Sequence, residues 1–280
     1  MKKTLTLLAL SATLALAKTS ITAMPYSAYI NYANSAKKDA YVVGLYSSFY
    51  NFPNKLEIGI ENIGIHYNNG LKDLDQNDLT AVYTRFIAKN YYVKGGIHYI
   101  NSDDKLTDEG LVGIFGVNYY KYLKYNLGLD VYYSKYKNYA PKELKVLQVR
   151  PYAGFNFGKY NSKMGSFYLE AEYNYIKPNS ASTFGLQKSY NSFGLKLTNY
   201  NGKFTTSVGA WAGKKVFAVD NGGFTVYNLG EVYKAGVDAS VDYAFKPTTH
   251  IKLKYSYSKF EEGNKKAHSN TVATSISHTW

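Results

Sequence analysis

The sequence has no cysteine, only six prolines and, beyond its first residues, no long apolar run. Without cysteine, a disulfide-stapled secreted scaffold is excluded. Without a run of roughly 20 apolar residues, a bundle of membrane-spanning helices is excluded as well. Disordered chains are poor in aromatic residues, whereas this chain is 17% aromatic and contains 31 tyrosines. The sequence therefore specifies an ordered fold of another class.

Residues 1–23 have the composition of a secretory signal peptide. Lys2 and Lys3 precede a mainly apolar stretch that ends at Ala17 and is too short to cross a membrane. Small residues suited to cleavage end at Ala17 and again at Ala23. We predict export of the chain, with cleavage after Ala17 or Ala23 and one folded domain over residues 24–280.

The rest of the chain alternates apolar and polar residues with the period of a β-strand. Over residues 123–134, the odd positions are apolar or aromatic, and the even positions are mostly polar. No segment shows a convincing helical period. We predict fourteen strands, each about as long as a membrane-crossing strand requires: 25–33, 39–50, 55–67, 78–88, 91–101, 109–120, 123–134, 145–157, 166–177, 188–199, 203–213, 231–245, 249–260 and 269–280.

The first and third of these segments are the least regular. In the third, the apolar residues change phase from Ile58 and Ile60 to Ile63 and Ile65. A β-bulge near Asn62 would produce this change. A count of 12 strands remains as an alternative, with residues 25–33 as a tail.

The predicted connections alternate between short and long. Short ones occur at 51–54, 89–90, 121–122, 200–202 and 246–248, with 158–165 as a longer member of this set. Long ones occur at 68–77, 102–108, 135–144, 178–187, 214–230 and 261–268, with 34–38 as a shorter member. Such alternation is typical of a membrane-spanning barrel with tight turns on one side.

The last segment places Val272, Ile276 and Trp280 on one face, together with the more polar Thr274 and His278. In this feature the chain resembles bacterial outer-membrane β-barrel proteins, whose final strand typically ends in Phe or Trp. The resemblance implies an all-β, antiparallel up-and-down transmembrane barrel with short periplasmic turns and longer external loops. It also implies that the barrel-assembly machinery recognises the final strand.

Tyrosine suits the two membrane interfaces, because its ring can lie in lipid while its hydroxyl reaches the headgroups. The clusters at 91–92, 119–122 and 132–136 lie at predicted strand ends. We predict that they form aromatic girdles.

The polar strand faces supply candidate residues for the barrel lumen. They are Arg85, Lys94, Lys124, Asp130, Arg150, Glu170, Glu172, Lys196, Lys234, Asp238, Asp242, Lys252 and Lys254, with Glu57 and Glu61 on the third strand. Their charges nearly cancel. They would either line a water-filled pathway and tune its selectivity, or pair and plug the barrel. The longest connection, 214–230, is long enough to fold back as a constriction.

The remaining positive charge falls in turns and loops, at Lys37, Lys38, Lys72, Lys142, Lys145, Lys214, Lys215, Lys265 and Lys266. External lysines could bind the phosphates of lipopolysaccharide in the surrounding outer membrane. No groove-reading element is present, so nucleic acid is not an expected partner. The sequence does not decide between a monomer and a homotrimer.

The sequence contains five histidines, two of which have an adjacent serine. His268 and Ser269 are adjacent, as are Ser277 and His278, and neighbouring strand residues point to opposite faces. Neither histidine can then activate its serine. No metal-ligand spacing occurs, and we predict neither an enzyme nor a cofactor. The hypothesis is a porin-like channel for small hydrophilic solutes or ions. The alternative is a non-conducting barrel that acts as an adhesin or structural surface protein.

Overall fold

The computed structural model describes residues 19–68, 70–159 and 162–280. Fourteen long strands form one closed antiparallel barrel, in which each strand pairs with its neighbours in the chain and β1 pairs with β16. These strands are β1 (Ser20–Ala33), β2 (Lys37–Asn51), β3 (Asn54–Tyr67), β4 (Leu74–Ala88), β5 (Tyr91–Ser102), β6 (Gly110–Lys121), β7 (Tyr125–Tyr136), β8 (Leu144–Gly158), β9 (Ser166–Pro178), β10 (Tyr190–Asn201), β11 (Phe204–Lys215), β14 (Val232–Lys246), β15 (Thr249–Glu262) and β16 (Lys265–Thr279).

Two very short strands, β12 (Val219–Asp220) and β13 (Thr225–Val226), pair inside the barrel. The described residues also form short 3₁₀ turns at Ala181–Phe184 and Asn221–Gly223. No helix in the described part of the chain is long and apolar enough to cross a membrane.

The predicted fold class and the count of fourteen are confirmed. The alternative of 12 strands is wrong, because β1 pairs along its length with both β2 and β16. The first strand also begins earlier than predicted. Ser20 lies opposite Tyr50, and Ala23 lies opposite both Ser47 and His278.

The predicted bulge near Asn62 is absent. The pairing of β3 with β2 and with β4 continues in register through Asn62. Ile63 and Ile65 instead point into the lumen, on the same face as Glu61, and Ile65 is only 7% exposed. The change of phase therefore marks a place where the lumen wall itself becomes apolar.

The outer surface has an apolar belt with aromatic residues at both ends, which is the pattern expected of a barrel in lipid. Outward positions include Leu45, Ile60, Leu79, Ile97, Phe115, Leu129, Phe193, Val208, Leu253 and Val272, all exposed in the isolated chain. Rings pair around the end that carries the short turns. Tyr91 and Tyr119 have centroids 4.8 Å apart, and Phe157 and Phe167 stack at 5.3 Å.

The connections follow the predicted alternation with two differences. The external connections at 68–73, 103–109, 137–143, 179–189 and 216–231 are long, whereas 34–36 and 263–264 are tight turns. Strands β15 and β16 extend through the predicted loop 261–268, where Glu262 lies opposite Lys265. On the periplasmic side, 159–165 is the longer turn, as expected.

The predicted signal peptide lies mostly in residues 1–18, outside the described residues. The barrel nevertheless distinguishes the two candidate cleavage sites, because cleavage after Ala23 would remove paired residues at the start of β1. Their loss would leave backbone groups of β2 and β16 unpaired at the seam of the barrel. We therefore expect cleavage after Ala17. Intact mass measurement of protein purified from the outer membrane should give Lys18 as the first residue, whereas Met24 as the first residue would contradict this prediction.

Candidate functional site

The longest external connection folds into the barrel. We call residues 216–231 the inner segment. Its first four residues, Val216 to Val219, are completely buried. The first three pack against inward apolar side chains of β5 and β7 to β10, and Val219 packs against those of β4, β6 and β7. The former are Ile100, Tyr136, Leu144, Val146, Ile176 and Tyr190, and the latter are Val82, Val112, Ile114 and Tyr132. The inner segment therefore lies against one wall of the lumen and narrows it, as the sequence had suggested for this connection.

Side-chain amides fix the backbone of the inner segment. Gln148 on β8 accepts a hydrogen bond from the Val219 amide at 2.7 Å and donates one to the Val219 carbonyl at 2.8 Å. Asn228 donates to Gln76 on β4 at 2.7 Å. Both contacts are buried, so each satisfies polar groups that would otherwise lack water. They hold the inner segment to both sides of the barrel.

Ion pairs secure the two ends of the inner segment. Lys215 lies 3.1 Å from Asp220, and its ammonium stands over the Trp211 ring at 4.5 Å. Lys37, at the start of β2, forms a salt bridge with Glu231, and both side chains are less than 10% exposed. Lys37 and Lys215 are therefore internal contacts and are not available to lipopolysaccharide.

Among the other predicted external lysines, Lys72 and Lys145 lie close to acidic neighbours. Lys72 is 2.8 Å from Asp103, and Lys145 is 2.7 Å from Glu143. The exposed lysines at the external end include Lys38, Lys142, Lys265 and Lys266.

Below the inner segment, towards the short turns, lies a cavity of about 740 Å³ that we call the periplasmic cavity. Its floor and walls are mixed: charged side chains alternate with the rings of Tyr46, Tyr92, Tyr152 and Phe224. Phe224 belongs to the inner segment and covers Gly59, where a Cβ would lie 2.9 Å from its ring. The inner segment thus forms the roof of this cavity.

Beside the inner segment lies a second cavity of about 390 Å³, which we call the outer cavity. One side is apolar, with Ile63, Ile65 and Leu229. The facing side presents Lys254 and a series of hydroxyl groups from β15 and β16: Ser256, Ser258, Ser269 and Thr271. The two cavities share lining residues, so they meet at the edge of the inner segment.

A charged network crosses the wall of the periplasmic cavity. Asp130 is 1% exposed and lies 2.9 Å from both Lys94 and Arg150. Arg150 also contacts Glu172 at 2.7 Å and lies 3.7 Å from Glu170. Five of the predicted lumen residues are therefore brought together. Each buried charge has a partner, as a low-dielectric wall requires.

Tyrosines on the lumen face donate hydrogen bonds to carboxylates. Tyr46 donates to Glu57 at 2.6 Å, and Tyr168 donates to Glu170 at 2.9 Å. Tyr26 on β1 donates to Glu61 on β3 at 2.8 Å, reaching across β2. The ring can cross because Gly44 lies between the two residues in the sheet register and has no side chain in its way. Many tyrosines therefore lie in the lumen. The predicted girdle positions are wrong for Tyr132 and Tyr136, which are completely buried inside the barrel, and for Tyr92, which lines the periplasmic cavity.

The remaining predicted lumen residues on β10, β14 and β15 also face inward. Lys254 lies 3.4 Å from Asp238, and Asp242 accepts a hydrogen bond at 2.8 Å from His250 if that ring nitrogen is protonated. Lys196 lines a small recess of about 110 Å³ together with Asp238. Lys252 lies on the same face of β15 as Lys254.

Three predicted lumen residues lie elsewhere. Arg85 is on the outward face of β4 at its periplasmic end, where it donates to Asn54 at 2.5 Å. Lys124 is exposed in the periplasmic turn before β7. Lys234 lies in an irregularity at the outer end of β14 and contacts Glu261 at 2.6 Å, while the partly buried Tyr233 takes the inward position. Charged side chains at strand ends lie beyond the hydrocarbon layer. The alternation of apolar and polar residues therefore does not determine whether they face the lumen or the outside.

Sequence reasoning missed several lumen residues. Lys55 lines the periplasmic cavity from β3, 2.8 Å from Glu57. His98 is completely buried between Thr80, at 2.7 Å, and Asp78, at 3.3 Å. The inward phase of β5, followed forward from Lys94, reaches His98, and the even positions of β4 include Asp78. The proposed assembly residues Val272, Ile276 and Trp280 all face outward, and each is at least 50% exposed.

If Gln148 holds the inner segment in place, its loss should loosen that segment. Gln148→Leu keeps a similar volume but leaves the Val219 amide and carbonyl without partners, at a cost of about 1–3 kcal/mol. We expect amide hydrogen exchange over residues 216–231 to become about tenfold faster. Gln187→Leu, at an exposed amide near the rim, is the matched control and should leave exchange unchanged. Equal exchange in Gln148→Leu and the parent protein would contradict the assignment.

The barrel resembles several solved outer-membrane proteins. The CymD monoaromatic hydrocarbon channel has a TM-score of 0.58 at 9% sequence identity, over 96% of this chain and 91% of that chain. The toluene transporter TodX of Pseudomonas putida has a TM-score of 0.55 at 9% identity, with the same shares covered. A bacterial polysaccharide outer membrane secretin has a TM-score of 0.58 at 6% identity, over 92% of this chain and 98% of that chain. At such identities the likeness concerns the fold.

No protein-family model matches the sequence, and no curated protein sequence matches it. The chain is thus a closed fourteen-strand antiparallel β-barrel with an apolar outer belt, and it shares this fold with bacterial outer-membrane proteins.

Proposed function

We propose that the protein is a narrow outer-membrane channel for the passive diffusion of small hydrophilic solutes or ions. The observation that carries this proposal is the pair of adjoining cavities beside and below the inner segment. A barrel that served only as an anchor would gain stability from a fully packed interior. Here about 740 Å³ and 390 Å³ of space remain, bordered by charges and hydroxyl groups.

The chemistry of the lining favours hydrophilic solutes. Two of the fold relatives are described as a monoaromatic hydrocarbon channel and a toluene transporter. In this chain Lys94, Arg150 and Glu170 border the periplasmic cavity. A hydrocarbon in that space would displace water from charged groups without replacing its hydrogen bonds, which costs free energy. Water and solutes that form hydrogen bonds incur no such cost.

The residues that we propose to line the pathway are the inward-facing members of the predicted set: Lys94, Asp130, Arg150, Glu170, Glu172, Lys196, Asp238, Asp242, Lys252 and Lys254. We further propose that outer-membrane lipid and lipopolysaccharide surround the barrel. Val272, Ile276 and Trp280 would form the surface read by the barrel-assembly machinery. Catalysis is not part of this proposal. Ser269 lines the outer cavity, whereas the ring of its neighbour His268 packs at 5.5 Å against Tyr257.

Single-channel recording in a planar bilayer tests the proposed function. The refolded protein should produce discrete, long-lived conductance steps. A variant in which a short Gly-Ser linker replaces residues 218–229 should give steps larger by about twofold or more, because a barrel of this size is wide enough for water once its interior is cleared. A folded parent protein that shows no steps would contradict the channel and favour the closed barrel of an adhesin or structural surface protein.

Lys254 should influence which ions pass, because its side chain borders the outer cavity and is 44% exposed. Lys254→Gln removes one positive charge from the pathway, so the reversal potential in a salt gradient should shift towards greater cation selectivity. Arg85→Gln removes the same charge from the outward face and is the control. If both variants shift the potential equally, Lys254 does not act from within the pathway.

A further inference from the structure

Three side chains from different parts of the barrel form the junction between the two cavities. Tyr26 on β1, Glu61 on β3 and Thr225 in the inner segment each line both cavities. These three side chains stand where the linings of the two cavities overlap. Among the described residues, Glu61 is the one carboxylate that borders both cavities.

Glu61 also differs from the other carboxylates of the periplasmic cavity in its partners. Glu57 lies 2.8 Å from Lys55, and Asp130 lies 2.9 Å from both Lys94 and Arg150. Glu61 accepts a hydrogen bond from the Tyr26 hydroxyl and forms no salt bridge within the described part of the chain. A neutral hydroxyl holds the carboxylate in position without cancelling its charge.

The position of Glu61 is fixed by the sheet. Gly44 lies directly opposite both Tyr26 and Glu61 in the registers of β1–β2 and β2–β3. The Tyr26 ring lies against Gly44, and its hydroxyl reaches the carboxylate from there. This arrangement keeps the Glu61 side chain beside the junction rather than extended towards one of the cavities.

We propose that Glu61 is the cation-selecting site of the channel and that the favoured solutes are small cations, such as alkali-metal or ammonium ions. This inference rests on the proposed channel function and deepens it. An uncompensated carboxylate beside a narrow aqueous junction lowers the energy of a passing cation and raises that of an anion. The lysines that line the outer cavity have acidic partners of their own: Lys254 lies 3.4 Å from Asp238, and Lys37 pairs with Glu231.

The test compares Glu61→Gln with Glu57→Gln in planar bilayers under a KCl gradient, at about pH 8 so that free carboxylates are ionised. Both substitutions remove one negative charge from the same face of β3, and each leaves an amide oxygen that can still accept the tyrosine hydrogen bond. The parent channel should prefer K⁺ to Cl⁻. Glu61→Gln should lower the K⁺/Cl⁻ permeability ratio about sevenfold, because a unit charge acting through water over about 7 Å favours the cation and disfavours the anion by roughly 2.7-fold each. Glu57→Gln should lower it less.

A third variant separates charge from shape. Glu61→Asp keeps the carboxylate and should retain most of the cation preference, which a purely structural role of Glu61 would not predict. Folding of every variant is checked by heat-modifiable electrophoretic mobility. Equal shifts in Glu61→Gln and Glu57→Gln, or an anion-selective parent channel, would overturn the inference while the channel function stands. A folded parent protein without conductance would overturn both.

Discussion

The structure depends on one constraint, which is that backbone N–H and C=O groups inside a bilayer must be hydrogen-bonded within the protein. The pairing of β1 with β16 closes the barrel and leaves no free strand edge in the hydrocarbon layer. Closure sets the alternation of every strand, since one face must meet lipid and the other the lumen. It also creates an interior that fourteen strands make too wide for their own side chains to fill.

The inner segment fills part of that wide interior. Its backbone lies inside the barrel, where it meets the same demand for hydrogen bonds as the strands. The short β12–β13 pair satisfies part of this demand. Gln148 supplies both partners that Val219 lacks, so a side chain substitutes for a neighbouring strand. The apolar run before Val219 then covers inward apolar residues on one wall, and the space that remains lies along the opposite wall.

Much of the barrel could be predicted from the sequence because lipid imposes a strict period of two on every strand. The same rule explains why some residues were assigned to the wrong face. Arg85 and Lys234 lie at strand ends, beyond the hydrocarbon layer, where either side tolerates a charge. Ile63 and Ile65 broke the expected pattern because the lumen wall beside the inner segment is apolar. The length of 214–230 was the sequence feature that suggested an inward fold, and the apolar run at 216–219, which is completely buried, is a further signal that the prediction did not use.

The alternation of apolar and polar residues does not show which carboxylate lacks a counter-ion, because ion pairing depends on distances between side chains. Glu57 and Glu61 occupy equivalent positions on one face of β3, and each accepts a hydrogen bond from a tyrosine. Only Glu57 has a lysine two residues away on the same face. At position 59, between them, stands a glycine, which lets Phe224 of the inner segment approach the wall. The inner segment therefore does more than narrow the barrel. Because its Thr225 lines both cavities, as Glu61 does, it places one unpaired charge of a wide lumen where the two cavities adjoin.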